Sequence, residues 1–286
     1  MYGYAFQFGR DDVDIASSAA SLDTDNYSLS LYGTLPQNNN QFIDGLIGVG
    51  TLKTDHIRKK NSNNLIGERD GNQVFSSIKF NKIFNKKNFD INPFTRIDLG
   101  FTELKTFSET GSNDALIYEK HQIPTKMASF GTLIGKPQKF NNGSMLIHNG
   151  RLEYTGDFSP SNNTSVSYVT DPTTDYTLTV SNRTRDNLRA GIGFDLSTDN
   201  GFSTIINYER YASKGSGHTD IMYFTLGWVS KRKTEYAITF NGTDNTTASF
   251  DHIKNIKGFD LNFNFDVHPF SEKINQQANL NLSKSF

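Results

Sequence analysis

The chain has 286 residues and no cysteine. That excludes a disulfide framework, a thiolate metal site and a cysteine nucleophile. It does not exclude an oxidising compartment, because a large β-barrel needs no covalent staple. No apolar run reaches the ~18 residues that a transmembrane helix requires. The charge is balanced, with 29 basic and 30 acidic residues and a formal net charge of -1, so no broad basic surface for nucleic acid is implied. No basic segment followed by an apolar core opens the chain. MYGYAFQFGR reads directly as a strand. For an exported protein this implies either a piece of a longer precursor or a mis-set start. Mean hydropathy is -0.55, which taken alone suggests a soluble protein.

What the chain does contain is 23 Phe, 12 Tyr and 23 Gly. The first two types favour pleated structure, and glycine marks turns and close approaches. In GFDLNFNFDVHPF, residues 258–270, the apolar Phe259, Leu261, Phe263, Phe265 and Val267 alternate with Asp260, Asn262, Asn264 and Asp266. The same two-residue period recurs from Tyr2–Phe8 to Ala278–Phe286. It predicts roughly a dozen to fourteen strands of about ten residues, the length of a tilted membrane strand. Polar stretches such as SSAASLDTD, RKKNSNNLIGERDGN, SPSNNTS and NGTDNTTASFD are read as loops between them. TDNG (198–201) is read as a tight hairpin, and short turns on one rim with long loops on the other are expected.

Alternation has two physical solutions, a sandwich that buries the apolar face against a second sheet and a barrel that turns it to lipid. Strand length favours lipid, as do aromatics at strand ends (Tyr2, Tyr154, Tyr211, Trp228, Phe270) and charges at mid-strand on the polar face. Arg96, Asp98, Arg151, Glu153, Arg189, Asp195 and Glu209 are the candidate lumen-facing residues. Opposite charges among them are expected to pair across strands, at about 0.2–1 kcal/mol each. The hydropathy conflict then disappears, because only alternate residues of each strand touch lipid. The expected fold is an all-β, antiparallel transmembrane β-barrel of about 12–14 strands spanning residues 1–286 as one unit. A closed barrel is the only sheet that leaves no unpaired edge in hydrocarbon.

Chemistry-bearing motifs are scarce. Six histidines are scattered without metal-ligand spacing. Asp266 and His268 share a strand face, but read as a rim pair ahead of Pro269. No G-x-S-x-G, P-loop or dinucleotide-binding stretch sits in a strand-turn-helix context. The Gly191–Gly193 stretch reads as small residues on a crowded inner row. The basic runs at 56–64 and 230–235 read as solvated rim charge. Asn162 and Asn241 open glycosylation sequons, which matter only in a eukaryotic secretory route. No cofactor, metal or catalytic residue is expected.

Four segments carry a family likeness: GYAFQFGRDDVDI, DNYSLSLYGTL, FIDGLIGVGTLKTDHIRK, and PFTRIDLGFTELKTFSETGSNDALIYEKH. Together they resemble the translocator β-domain of type V autotransporters. The family's "lYG" strand falls on Tyr32–Gly33, and its Pro-aromatic element on Pro93–Phe94. Its E-x-G element falls on Glu109–Gly111, where Glu109 is expected to be a rim or lumen packing feature. AGIGFDLSTDNGFSTIINYERYASKGSGHTD resembles the family's late hairpin. The terminal Phe286 matches the signature read by the outer-membrane assembly machinery.

The resemblance implies a protein of the bacterial outer membrane that anchors and translocates an N-terminal passenger. Its implied partners are the lipid bilayer, the barrel assembly machinery and a passenger segment in the lumen, with no nucleic acid. The family's first two strands and lumen helix are missing before Tyr2. Three further strands, at about 234–242, 257–268 and 276–286, follow the family's usual end and are expected to close the barrel in their place. Alternatives are a passive porin-like channel for small solutes, a barrel hydrolase using Asp266–His268, and a soluble β-sandwich adhesin.

Overall fold

A two-residue period puts each set of side chains on one face of an extended strand. The computed structural model shows where those faces go. It describes residues 1–15, 20–180, 184–230, 234–241, 247–256, 258–267 and 276–284. In chain order the strands begin with β1 (Tyr2–Ile15), β2 (Ala20–Gln37), β3 (Gln41–Lys60), β4 (Asn63–Lys82), β5 (Phe84–Asn85) and β6 (Asp90–Leu104). Next come β7 (Phe107–Ser108), β8 (Leu116–Tyr118), β9 (His121–Lys139), β10 (Met145–Asp157), β11 (Asn162–Tyr168) and β12 (Asp171–Val180). The chain continues through β13 (Asp186–Ser197), β14 (Phe202–Ser213), β15 (Gly217–Val229), β16 (Thr234–Asn241), β17 (Thr247–Ile256), β18 (Phe259–Val267) and β19 (Gln276–Lys284).

Fourteen of these form one closed antiparallel sheet, in which β4 pairs with β6 and β1 pairs with β19. Tyr2 stands opposite Lys284 and Arg10 opposite Gln276. Closure by the strands after residue 230 is thus the pairing found. Those strands are four, because β17 lies in a stretch read from sequence as largely polar loop. Its apolar row is interrupted by His252 and Lys254, and its polar row holds Ile253, which blurs the period.

Other sequence expectations need correction. SSAASLDTD and SPSNNTS are not loops throughout, because β2 begins at Ala20 within the first and β11 at Asn162 within the second. RKKNSNNLIGERDGN is not a loop. The β3–β4 ladder runs through it from Lys60↔Asn63 to Gln41↔Lys82, with only Asn61 and Ser62 in the turn. Tyr176 and Leu178 do lie on a strand, but β12 belongs to a second, four-stranded sheet ordered β12-β11-β8-β7. That sheet is built from the two long connections, 105–120 and 158–185, which leave the barrel at the same rim. The opposite rim carries the turns at 38–40, 140–144 and 198–201, together with Met1 and the end of β19.

The apolar face is uncovered. Ile192 is 66% exposed, Phe130 59% and Ile97 56%. Among the described residues no second sheet packs on these rows, so the sandwich alternative fails. Toward the long-loop rim the same face stops being apolar and becomes a tier of ion pairs. These are Arg10–Asp25 at 3.2 Å, Lys53–Glu68 at 3.0 Å, Lys105–Asp70 at 3.2 Å, Lys120–Glu103 at 2.7 Å and Arg210–Asp220 at 2.7 Å. Such charges cannot sit in hydrocarbon without a cost of a few kcal/mol each, so the tier marks where the strands leave the membrane.

The last pair gives a pH prediction. Arg210 donates through Nε and Nη2 to the two Asp220 carboxylate oxygens, at 2.7 and 2.8 Å, and Tyr208 donates its hydroxyl at 2.9 Å. These bonds, those from Arg210 foremost, hold the Asp220 carboxyl down at about 2. A depressed carboxyl stabilises the fold above its unfolded value near 3.9 and loses that contribution as pH falls through about 2. A carbon-13 titration of Asp220 should therefore show a midpoint near 2. A midpoint in the ordinary carboxylate range means that the clamp does not form.

Candidate functional site

The faces alternate, so the polar row of each barrel strand is the side on which recognition chemistry can be built. Arg96 and Asp98, two residues apart on β6, share that row. Arg96 Nε donates to Asp98 Oδ2 at 2.7 Å, and Ser77 on β4 donates to Asp98 Oδ1 at 2.6 Å. Arg96 also reaches Glu153 Oε1, on β10, at 3.2 Å. β9 lies between those two strands, and opposite Glu153 it carries Gly131. A Cβ there would come within 2.9 Å of both the Glu153 Cα and the Phe94 ring, so the glycine leaves the room the bridge needs. Arg151 donates through Nε (3.1 Å) and Nη2 (2.5 Å) to Glu153 Oε2. Glu153 is therefore buried between two guanidinium groups.

A second cluster lies on β13 and β14. Arg189 forks onto Glu209, its Nε at 2.9 Å, and the Tyr211 hydroxyl donates to the same carboxylate at 3.0 Å. The guanidinium lies over the Tyr211 ring, 4.8 Å from its centroid. Gly191 stands opposite Glu209, and a Cβ there would meet the Glu209 Cγ at 2.9 Å. The reading of Gly191 and Gly193 as small residues in a crowded row holds. Among the described residues Asp195 pairs with no cation. It accepts from the Asn149 side-chain amide at 2.9 Å.

The seven sequence candidates thus fall into two ion-pair clusters and one amide-capped acid. Pairing across neighbouring strands, the expectation from sequence, is found for Arg189–Glu209, whereas Arg96–Asp98 and Arg151–Glu153 pair within one strand at i, i+2. The contacts that join β6 to β10 were not legible. Sequence reading also missed an amide ladder, in which Gln277 donates to Asn279 (3.2 Å), Asn279 to Asn264 (2.8 Å), and Asn264 to both Asp251 and Asp266 (3.1 Å each). His268, the proposed partner of Asp266, and Phe286, the proposed assembly signal, lie outside the described residues.

At the long-loop rim one acid is wholly enclosed. The Glu109 side chain has no exposure. Arg58 donates to it twice, Nε at 3.0 Å and Nη2 at 2.5 Å, and the Leu116 backbone N–H donates at 3.0 Å. His56 Nδ1 lies 3.4 Å away, a contact rather than a formed hydrogen bond. Burial lowers the His56 pKa, and the charge of Glu109 only partly opposes this. Arg69 donates to the carbonyls of Lys105 and Glu119, both at 2.8 Å, and so holds the two ends of the 105–120 connection. Gly111 adopts φ +119°, and a Cβ there would run into the Asn64 carbonyl. This accounts physically for Glu and Gly in the E-x-G element. The Arg58, Lys60 and Arg69 partners were hidden in what read as a charged loop. Among the described residues no group of acids and histidines could hold a metal ion.

A closed antiparallel barrel, apolar outside a polar row of neutralised charges, is the architecture of a transmembrane β-barrel. The family model for the autotransporter beta-domain matches residues 1–209, and the chain belongs to that family. It is an outer-membrane barrel for passenger translocation, located in the bacterial outer membrane. No curated protein matches the chain. Among solved structures it is similar to the transport unit of the autotransporter AIDA-I from Escherichia coli. The identity is 11% and the TM-score 0.54, over 100% of this chain and 90% of that one. It is also similar to the translocator domain of the autotransporter NalP from Neisseria meningitidis, at 13% identity and TM-score 0.54, over 100% and 88%. The Pseudomonas putida toluene transporter TodX matches at 9% identity and TM-score 0.50, over 98% and 88%. At these identities the structural likenesses speak for the fold alone.

Proposed function

We propose that the polar face lines a water-filled lumen, that Arg96, Asp98, Arg151, Glu153, Arg189, Asp195 and Glu209 form its charged wall, and that a passenger segment passes through it. The observation that carries this reading is the reach of Arg96 over β9 to Glu153. Side chains two strands apart converge on the concave side of a curved sheet and splay apart on the convex side. The exposed apolar rows on the other face support the same orientation.

Such a wall suits transit. Its arginines are already committed to carboxylates, so a moving polypeptide meets few free charges that would trap it. Met1 lies at the short-turn rim, so a segment attached ahead of it starts there and reaches the long-loop rim only through the barrel. In this reading residues 1–286 act as one barrel, Phe286 serves the barrel assembly machinery, and a passenger segment rests in the lumen. No residue makes or breaks a bond.

A passenger fused ahead of Met1, behind a secretion signal, tests the reading. It should appear at the cell surface, where externally added protease removes it. A passenger that stays protected while the barrel is folded overturns the proposal.

A further inference from the structure

The enclosed Glu109 has no part in the wall described above. It lies at the rim where a passenger would emerge, and its partners His56 and Arg58 sit on the polar row of β3, next to the tip of the β3–β4 hairpin. The hairpin stands above the ion-pair tier, so at this height its polar row faces the mouth. That row is covered. Leu65 is fully buried, and Ala115, in the 105–120 connection, is 2% exposed. Thr110 bridges to Ile66 through two backbone bonds, at 2.8 and 3.0 Å. Lys60 reaches Asp114 at 3.1 Å, and Arg58 also donates to the Asp114 carbonyl at 3.1 Å. Phe107 stacks on Tyr118 with ring centroids 4.7 Å apart, and Arg69 lies over Phe107. Whatever packs on the inner side of a barrel wall takes space from the pore.

We propose that the 105–120 connection, with the four-stranded sheet it anchors, is a gate across the long-loop mouth, held shut by insertion of Glu109 between Arg58 and the Leu116 amide. This rests on the reading of the polar face as a lumen. The latch is one buried carboxylate whose cationic partner comes from the barrel wall. Neutralising it removes the negative charge that the Arg58 guanidinium answers and weakens the strongest tie of the connection to β3, while the Arg58 and Lys60 bonds to Asp114 remain. The bridge at Ile66 and the Arg69 bonds remain, so the gate loosens without losing its attachment.

The test uses the refolded full chain in planar bilayers and a thiol probe, which the absence of native cysteine makes clean. Wild type should show mostly closed or low-conductance behaviour. Glu109→Gln should raise the open fraction roughly tenfold or more, the scale of a shift between two states differing by one buried interaction. Glu68→Gln removes a charge on the opposite face of the same hairpin and should change nothing. In parallel, Leu65→Cys should react with an impermeant maleimide at least about tenfold slower than Ser62→Cys at the exposed hairpin tip, and Glu109→Gln should erase that difference.

If Glu109→Gln fails to fold, the labelling contrast in an otherwise wild-type chain still decides, because a Leu65→Cys thiol as reactive as Ser62→Cys means no closed gate. Equal conductance of wild type and Glu109→Gln, including no current from either, overturns the gate. Passenger display is scored separately, so export with unchanged conductance removes the gate alone, whereas failed display removes the translocation reading.

Discussion

Ile192→Arg should destabilise the barrel in a phospholipid bilayer by about 2–4 kcal/mol, the cost of placing a guanidinium on the lipid face near the membrane midplane. Ile192 lies mid-strand on β13, between Gly150 on β10 and Tyr208 on β14, and is 66% exposed. In water that exposure would make the substitution harmless. Leu188, on the same face near the ion-pair tier, supplies the control. Leu188→Arg should cost only about 0–1 kcal/mol, because a long side chain there reaches the interface. Urea titration of folding into lipid vesicles, followed by the fluorescence of the single tryptophan Trp228, measures both. Equal, near-zero effects at the two positions would remove the membrane from the account.

The second large effect is expected at Glu153. Its side chain is 4% exposed and sits between Arg96 and Arg151, which are 29% and 24% exposed. Removing one partner of a fully buried ion pair costs about 3–5 kcal/mol. Here both guanidinium groups keep some water and Arg96 keeps Asp98, so Glu153→Ala should cost about 2–3 kcal/mol. A charge-neutral Glu153→Gln retains an acceptor and should cost less. A double-mutant cycle with Arg151→Met isolates the pair. A coupling indistinguishable from zero would mean that the polar face is wet enough for its charges to act independently.

The parts of the fold that sequence reading found are those where one physical rule dominates. β18 was legible because lipid on one side and water on the other impose a strict two-residue period on Phe259–Val267. The same rule fails once a strand leaves the membrane. At the distal ends of β3 and β4 the outer face meets water instead of lipid and the inner face meets the 105–120 connection, so Lys53, Asp55, Glu68 and Asp70 occupy the row that Ile47 and Val74 fill lower down. The pattern there looks like a loop although the ladder is unbroken. Tyr176 and Leu178 show the converse problem. Alternation establishes a strand but not which sheet receives it, and β12 joined the rim sheet. Pairing is least visible of all. Glu109 was recognisable from its E-x-G element, but Arg58 lies about fifty positions earlier in the chain. Only the height of the β3–β4 hairpin brings the two together.

The seam between β1 and β19 has a temporal meaning. Tyr2 stands opposite Lys284, so β1 waits for β19, which is synthesised far later. Until then the nascent sheet carries two raw edges and a greasy outer surface, a combination prone to sticking to other chains. Delivery to the membrane is therefore a race between escorted transport and aggregation. The penalty for a missing β19 falls on every strand before it.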